Sequence, residues 1–131
     1  MAHPVVHAEI RSADPDTTRT FFADLFGWKI ASEGAFPGYT FIDTGAEGGT
    51  YVAIGPRQSA EDEVLFFVAV QDVAATLAAA ERLGGRIIQP EQRVPGTSFG
   101  VLADSQGHRN GIAANGQPPP PIAAPDIRAA A

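Results

Sequence analysis

The chain contains no cysteine, a single lysine (Lys29), one tryptophan and one methionine, and no apolar run long enough to span a bilayer. Without cysteine there are no disulfides, no thiolate nucleophile and no Cys-ligated zinc or iron–sulfur centre. Nine basic against fifteen acidic side chains leave a net charge of -6, a field that repels phosphate backbones, so nucleic acid is not expected as a partner. A membrane partner is not expected either. The segment Met1 to Arg11 has neither a basic start nor an apolar signal core, and a cytoplasmic location is the expectation. What remains is 131 residues, 44% of them hydrophobic, enough for one domain with its own core.

Val5 to Arg11 alternates, with Val6, Ala8 and Ile10 on one face and His7, Glu9 and Arg11 on the other. That period of two predicts a strand with one packed side and one side facing something polar. Asp14-Pro15 reads as an N-cap followed by proline at the first helical position, and apolar residues at helical spacing continue to Phe26, with Gly27 as the stop. In that helix Phe21, Phe22 and Phe26, together with Trp28, fit a core between helix and sheet. Three strand-like stretches follow, Trp28 to Ala31, Tyr39 to Thr44 and Thr50 to Ile54, separated by glycine-rich turns, which gives the order βαβββ. The stretch Gly34 to Tyr39 reads either as a mobile loop over a cavity mouth or as a plain hairpin connection.

From Glu63 the order restarts. A strand from Val64 to Val70 precedes the N-cap Asp72, a helix from Val73 to Leu83, and strands at Arg86 to Gln89, Ser98 to Ala103 and Asn110 to Ala113. Adding 58 to a position carries His7 onto Leu65, Asp14 onto Asp72, Phe41 onto Phe99 and Ile54 onto Ile112. This is an internal repeat of topology. The expected organisation is an α+β domain over 1–115, made of two βαβββ modules at about 4–55 and 63–114, joined by a connector at 55–60. A Pro/Ala-rich tail, 116–131, follows as coil, on the surface or against a partner subunit.

The order of these modules, the phrase Val6-His7-Ala8-Glu9-Ile10 before Asp14-Pro15, the helix ending Leu25-Phe26-Gly27-Trp28, and Ala103-Asp104-Ser105-Gln106-Gly107 before the last strand together resemble the vicinal oxygen chelate superfamily. Its members include glyoxalase I, extradiol dioxygenases and bleomycin-resistance proteins. The resemblance implies two modules whose sheets curl around a shared cavity, and a homodimer. In its metal-dependent members a divalent ion is held by the first and last strands of each module, at positions that here fall on His7, Ala53, Leu65 and Gly111. Only His7 among these can bind a metal, with Glu9 as the one residual carboxylate nearby, so no metal or other cofactor is expected.

His7 and Glu9 then admit two readings. They are a hydrogen-bonded pair in a cavity wall, or an acid/base pair in which the carboxylate orients the imidazole toward a bound molecule. Arg11, on the same face, matches a position used in glyoxalase-like relatives for an anionic group of the substrate, and equally suits an ion pair with Asp14 or Glu9. In the second module the corresponding positions are apolar, Leu65, Phe67 and Ala69. Leu65 and Phe67 either line a cleft or fill the sheet interior, and Gly111 admits close approach of a backbone or a ligand. His108 is expected to face away from the cavity. One ionisable wall and one apolar wall suit a small amphipathic or aromatic ligand. The functional expectation is a binding protein of the antibiotic-resistance type. The alternative is an enzyme of the superfamily, a glyoxalase-like lyase or isomerase or a dioxygenase-like protein, acting on a small oxygenated metabolite with His7 and Glu9 as an acid/base pair or as a partial site for a divalent metal.

Overall fold

The computed structural model describes residues 2–34, 36–45 and 50–114. The tail expected at 116–131 lies outside these residues, as do Gly48 and Gly49. Eight strands and two helices follow in the order βαβββ twice over. By contact the described chain gathers into two compact units, 7–64 and 65–114, and the residues up to Val6 group with the second. Pro4 accounts for that, because its carbonyl accepts a hydrogen bond of 2.9 Å from the Ala69 amide.

In the first unit β1 (Val5–Ser12) leads into α1 (Pro15–Phe26). The Asp14 carboxylate accepts from the Thr17 amide, Pro15 opens the helix, and Gly27 closes it in the left-handed region with φ 74°, its N–H bonded to the Ala23 carbonyl. A residue with a Cβ is disfavoured there, which is why glycine ends this helix. The strands β2 (Lys29–Glu33), β3 (Thr40–Asp43) and β4 (Tyr51–Pro56) complete a sheet in the order β2-β3-β4-β1. Its β1/β4 pair is parallel and the other pairs are antiparallel.

The second unit repeats the plan with β5 (Glu63–Val70), α2 (Val73–Arg82), β6 (Arg86–Val94), β7 (Thr97–Ala103) and β8 (Arg109–Ala114), in the order β5-β8-β7-β6. Glu9 stands opposite Ala53 in the first sheet, and Phe67 opposite Gly111 in the second. Those are the same pair of positions moved by 58, so the duplication extends to strand register. β6 runs past the expected end at Gln89 and through Pro90, which is tolerated because β6 is last in the strand order and its register slips across the proline, between Gln89 and Gln92.

The two helices behave differently. Val73 and Leu77 of α2 are buried and pack with Val70, Ile112 and Ala114. α1 buries no residue. The expectation that Phe21, Phe22, Phe26 and Trp28 form a core is therefore corrected, since Phe21 and Phe26 are each 58% exposed and Phe22 and Trp28 only half-buried. They satisfy one another instead: the Phe22 ring stacks on Phe26 at 5.8 Å and lies 5.2 Å from Trp28. α1 is tied to its sheet by Arg19, which donates to the carbonyl of Gly38 at 3.0 Å and to the Thr40 hydroxyl at 3.1 Å. No helix among the described residues is long and apolar enough to cross a membrane.

Candidate functional site

The alternation of β1 resolves in an unexpected sense. His7, Glu9 and Arg11 are the buried face, each 2–3% exposed, whereas Val6, Ala8 and Ile10 are half-buried. Burying a carboxylate and a guanidinium costs free energy unless each is paired and hydrogen-bonded. Glu9 meets that condition from three directions. Arg11 Nε donates to Oε2 at 2.5 Å, the Tyr39 hydroxyl donates to Oε1 at 2.5 Å, and His7 Nε2 lies 3.3 Å from Oε1.

These contacts fix the protonation of the group. Burial alone raises the Glu9 carboxyl, but the His7 hydrogen bond, the Arg11 charge and the Tyr39 hydroxyl outweigh it and hold it below the ordinary carboxylate value. Tyr39 moves the other way, well above 10, because burial and the neighbouring Glu9 charge both oppose a phenolate. Glu9 is therefore an ion that only accepts, and Tyr39 a neutral phenol whose proton is committed to it. His7 Nε2 also lies 3.3 Å from the Tyr39 oxygen. Facing two acceptor oxygens, Nε2 must carry the hydrogen, and in neutral His7 the lone pair then belongs to Nδ1.

Tyr39 was not among the residues singled out from the sequence, and its place depends on two glycines. A Cβ at Gly34 would stand 2.2 Å from Tyr39 Cδ1, and one at Gly55 would stand 2.6 Å from Cδ2. The ring lies in the slot left by both missing side chains, and the Gly34 amide donates to the Tyr39 carbonyl at 2.7 Å. Gly55 pairs with Arg11 across β4 and β1, so one strand supplies both the floor under Tyr39 and the register of the arginine. The only sequence signal for this was a glycine at 55 inside what reads as a connector. The structure makes it the fifth residue of β4.

Phe36 packs against the cluster of Tyr39, Phe41 and Ala53, and its side chain covers part of this face. Reading across the sheet, Glu9, Ala53, Phe41 and Ser32 stand opposite one another on β1, β4, β3 and β2. Ser32 is buried, and its Oγ has no hydrogen-bond partner among the described residues.

In the second unit Leu65 and Phe67 are buried at 2% and 3%. A Cβ at Gly111 would fall 2.3–2.5 Å from the Phe67 ring, so it is that ring, packed edge-on to Phe99, that uses the space. His108 is exposed and bonds Asp104 at 3.0 Å through Nδ1. Of the four positions at which the resemblance places metal ligands, Ala53 is a methyl in the first sheet, Leu65 is core, and Gly111 lies under Phe67. His7 Nε2 is engaged with Glu9 and Tyr39. These residues do not fit a divalent ion, and among the described residues no group of three or more His, Asp or Glu side chains could hold one.

A family model described as the Glyoxalase/Bleomycin resistance protein/Dioxygenase superfamily matches residues 5–112. No curated protein sequence matches the chain. Among solved structures, a hypothetical protein from Bacillus halodurans is similar with TM-score 0.64 and 12% identity, covering 92% of this chain and 100% of its own. A Streptomyces coelicolor methylmalonyl-CoA epimerase bound to 2-nitronate-propionyl-CoA is similar with TM-score 0.60 and 17% identity, covering 92% and 100%. A superfamily member from Vibrio splendidus follows with TM-score 0.57 and 13% identity, covering 86% and 98%. At these identities the likeness is one of fold.

Proposed function

The chain belongs to the glyoxalase/bleomycin resistance protein/dioxygenase superfamily, and on that premise we propose that it binds a small amphipathic or aromatic molecule at the His7 face of its first module, without a metal ion. The observation that carries this reading is the saturation of Glu9. Its two oxygens receive three donors and its proton affinity is lowered, so it is a poor base, while the floor beside it is apolar through Ala53 and Phe41. Such a surface supports recognition by burial and a few oriented polar groups more than it supports bond-breaking. The same reading takes Arg11 as orienting through Glu9, and Leu65, Phe67 and Gly111, expected at the ligand, as packed interior of the second module. It takes the protein as a cytoplasmic homodimer with no nucleic-acid or membrane partner.

A second reading is favoured by the tautomer of His7. With Nε2–H held by Glu9 and Tyr39, Nδ1 is the basic nitrogen, and an enzyme of this superfamily would use it as the base while Glu9 positions the ring. Methylmalonyl-CoA epimerase, named for one of the similar folds, acts on an acyl-CoA, and such carbon acids are the substrate class to try first.

One experiment separates the two. Melting temperatures are recorded against a panel of aromatic and amphipathic compounds and acyl-CoA thioesters, and each hit is then incubated with protein in deuterated water. Stabilisation by a hit that survives His7→Ala, with no exchange or turnover, supports binding. Turnover that falls by about a hundredfold in His7→Ala supports the enzyme. No stabilisation by any compound removes the proposal.

A further inference from the structure

We infer that a depression in the second module, at the start of α2, binds a small zwitterion, a molecule such as a short peptide that carries both a carboxylate and an ammonium group. It is separate from the His7 face and does not depend on what that face binds. The depression has a volume of about 620 Å³, within the range of about 300–1,000 Å³ usual for small-molecule sites, and every residue lining it belongs to the second unit. Val73 and Ser98 are buried in its floor, and Asp72, Ala74 and Arg93 stand exposed at its rim.

The polar groups around it are left unmatched by the fold. Ser98 is 5% exposed, yet its hydroxyl makes no hydrogen bond among the described residues. The strand fixes its direction. Two residues further along β7, a Cβ at Gly100 would stand 3.1 Å from Leu77 and 3.3 Å from Val73, so side chains of that parity point toward α2. Arg93 is opposite Ser98 in the β6/β7 register and shares the same face. Its guanidinium comes no closer than 3.9 Å to the Glu91 carboxylate, and the Glu91 side chain, only 23% exposed, accepts no hydrogen bond among the described residues. At the helix, the Asp72 carboxylate is committed to the Ala75 amide at 2.9 Å and its carbonyl to the Thr76 amide at 3.0 Å. The amides of Val73 and Ala74, at the positive end of α2, are left without partners among the described residues.

Buried hydroxyls are nearly always hydrogen-bonded, and a carboxylate largely removed from water is costly without a donor. The unmatched groups call for both signs of charge. Arg93 and the two amides suit a carboxylate, Glu91 suits an ammonium, and the Ser98 hydroxyl serves either. A simple anion would be repelled by Glu91, and a simple cation would leave Arg93 and the helix end unmatched.

The test uses full-length protein and calorimetry with two dipeptides, L-alanyl-L-alanine and glycyl-L-leucine. Each is also supplied as its N-acetyl form, which lacks the ammonium, and as its C-terminal amide, which lacks the carboxylate. In the wild type at least one free dipeptide binds about tenfold more tightly than either of its capped forms. Arg93→Gln removes the preference over the amide and keeps that over the N-acetyl form, and Glu91→Gln does the reverse. Ser98→Ala weakens the free dipeptide about fivefold, the scale of one hydrogen bond, and does not lower the melting temperature of the unliganded protein. Equal affinity for free and capped forms overturns the inference, as does acetate or phosphate binding as tightly as the dipeptide, since the depression is then a plain anion site. Preferences that persist in both Arg93→Gln and Glu91→Gln place the binding elsewhere and overturn it too. A lower melting temperature for unliganded Ser98→Ala has the same consequence, because the hydroxyl then has a partner within the protein. Failure of both dipeptides to bind the wild type also sinks it, and leaves the reading of the His7 face untouched.

Discussion

Tyr39 occupies the space that a side chain at Gly55 would need, with only 2.6 Å between Cδ2 and the position of a Cβ. The phenol therefore reaches Glu9 because β4 lacks a side chain where Arg11 pairs with it. Gly55→Ala should push the ring off its slot and cost about 1–3 kcal/mol, as overpacking does. Tyr39→Phe keeps the ring but removes a donor to a buried carboxylate, and should cost about 1–3 kcal/mol. Urea unfolding of the two single variants and the double variant checks the link. If the glycine serves the hydroxyl, the double variant loses less than the sum of the singles.

Acid stability should depend on Glu9. Its carboxyl is held below 4.5, so the unfolded chain takes up the proton first as pH falls. The stabilisation is complete above the unfolded value and is lost as pH drops through the lower, folded value. Glu9→Gln should flatten this acid limb. At neutral pH it should also destabilise by about 3–5 kcal/mol, because the buried Arg11 charge loses its carboxylate. Unfolding free energies from pH 3 to 7 for both proteins give the comparison, and parallel curves would show that the limb arises elsewhere.

Tyr39 gives the opposite sign. Its folded value is raised well above 10, so its contribution is complete below the unfolded value and is lost as pH climbs through the folded one. The wild type should lose stability above pH ~10, and Tyr39→Phe should lose less over the same range. The only other tyrosine, Tyr51, pairs with His7 in the β1/β4 register, and the loss specific to Tyr39 is the difference between Tyr39→Phe and Tyr51→Phe.

How much of this could be read in the chain differs from feature to feature, for physical reasons. The strands, both helix caps and the duplicated register follow from local chemistry, Asp at the N-cap, Gly27 at the stop and the period of two in β1. That His7, Glu9 and Arg11 share a face was legible for the same reason. That this face is the buried one was not, since alternation says which side chains point together and nothing about what covers them. The aromatic spacing of α1 misled in the same way. Tyr39 and Ser32 were illegible because each depends on an irregularity, a ring laid across Gly34 and Gly55 in one case and a bulge at Ala31 in the other.

The exposed aromatics of α1 carry their own test. Phe21→Ala should change stability by no more than about 0.5 kcal/mol, as at most surface positions. Leu77→Ala in α2 removes a side chain that is 3% exposed and should cost about 2–5 kcal/mol. The two substitutions occupy equivalent helices of the duplicated modules, so unfolding both under one condition isolates the difference in burial. A large loss for Phe21→Ala would mean that something covers that side of α1 in solution.

The second module offers a cleaner form of the glycine argument, because its partner is apolar and no charge intervenes. Phe67 stands opposite Gly111 in the β5/β8 pair, and a Cβ at 111 would fall 2.3–2.5 Å from three of its ring atoms. Such a separation is shorter than any carbon contact allows, so in Gly111→Ala the ring must leave its rotamer or the strand must shift, at about 1–3 kcal/mol. Phe67→Ala alone should cost about 3–5 kcal/mol through lost burial. In the double variant the clash has vanished with the ring, so the alanine at 111 should then add almost nothing, and the coupling between the sites should equal nearly the whole cost of Gly111→Ala. If the costs add instead, the missing side chain at 111 serves the backbone of β8 and not the Phe67 ring.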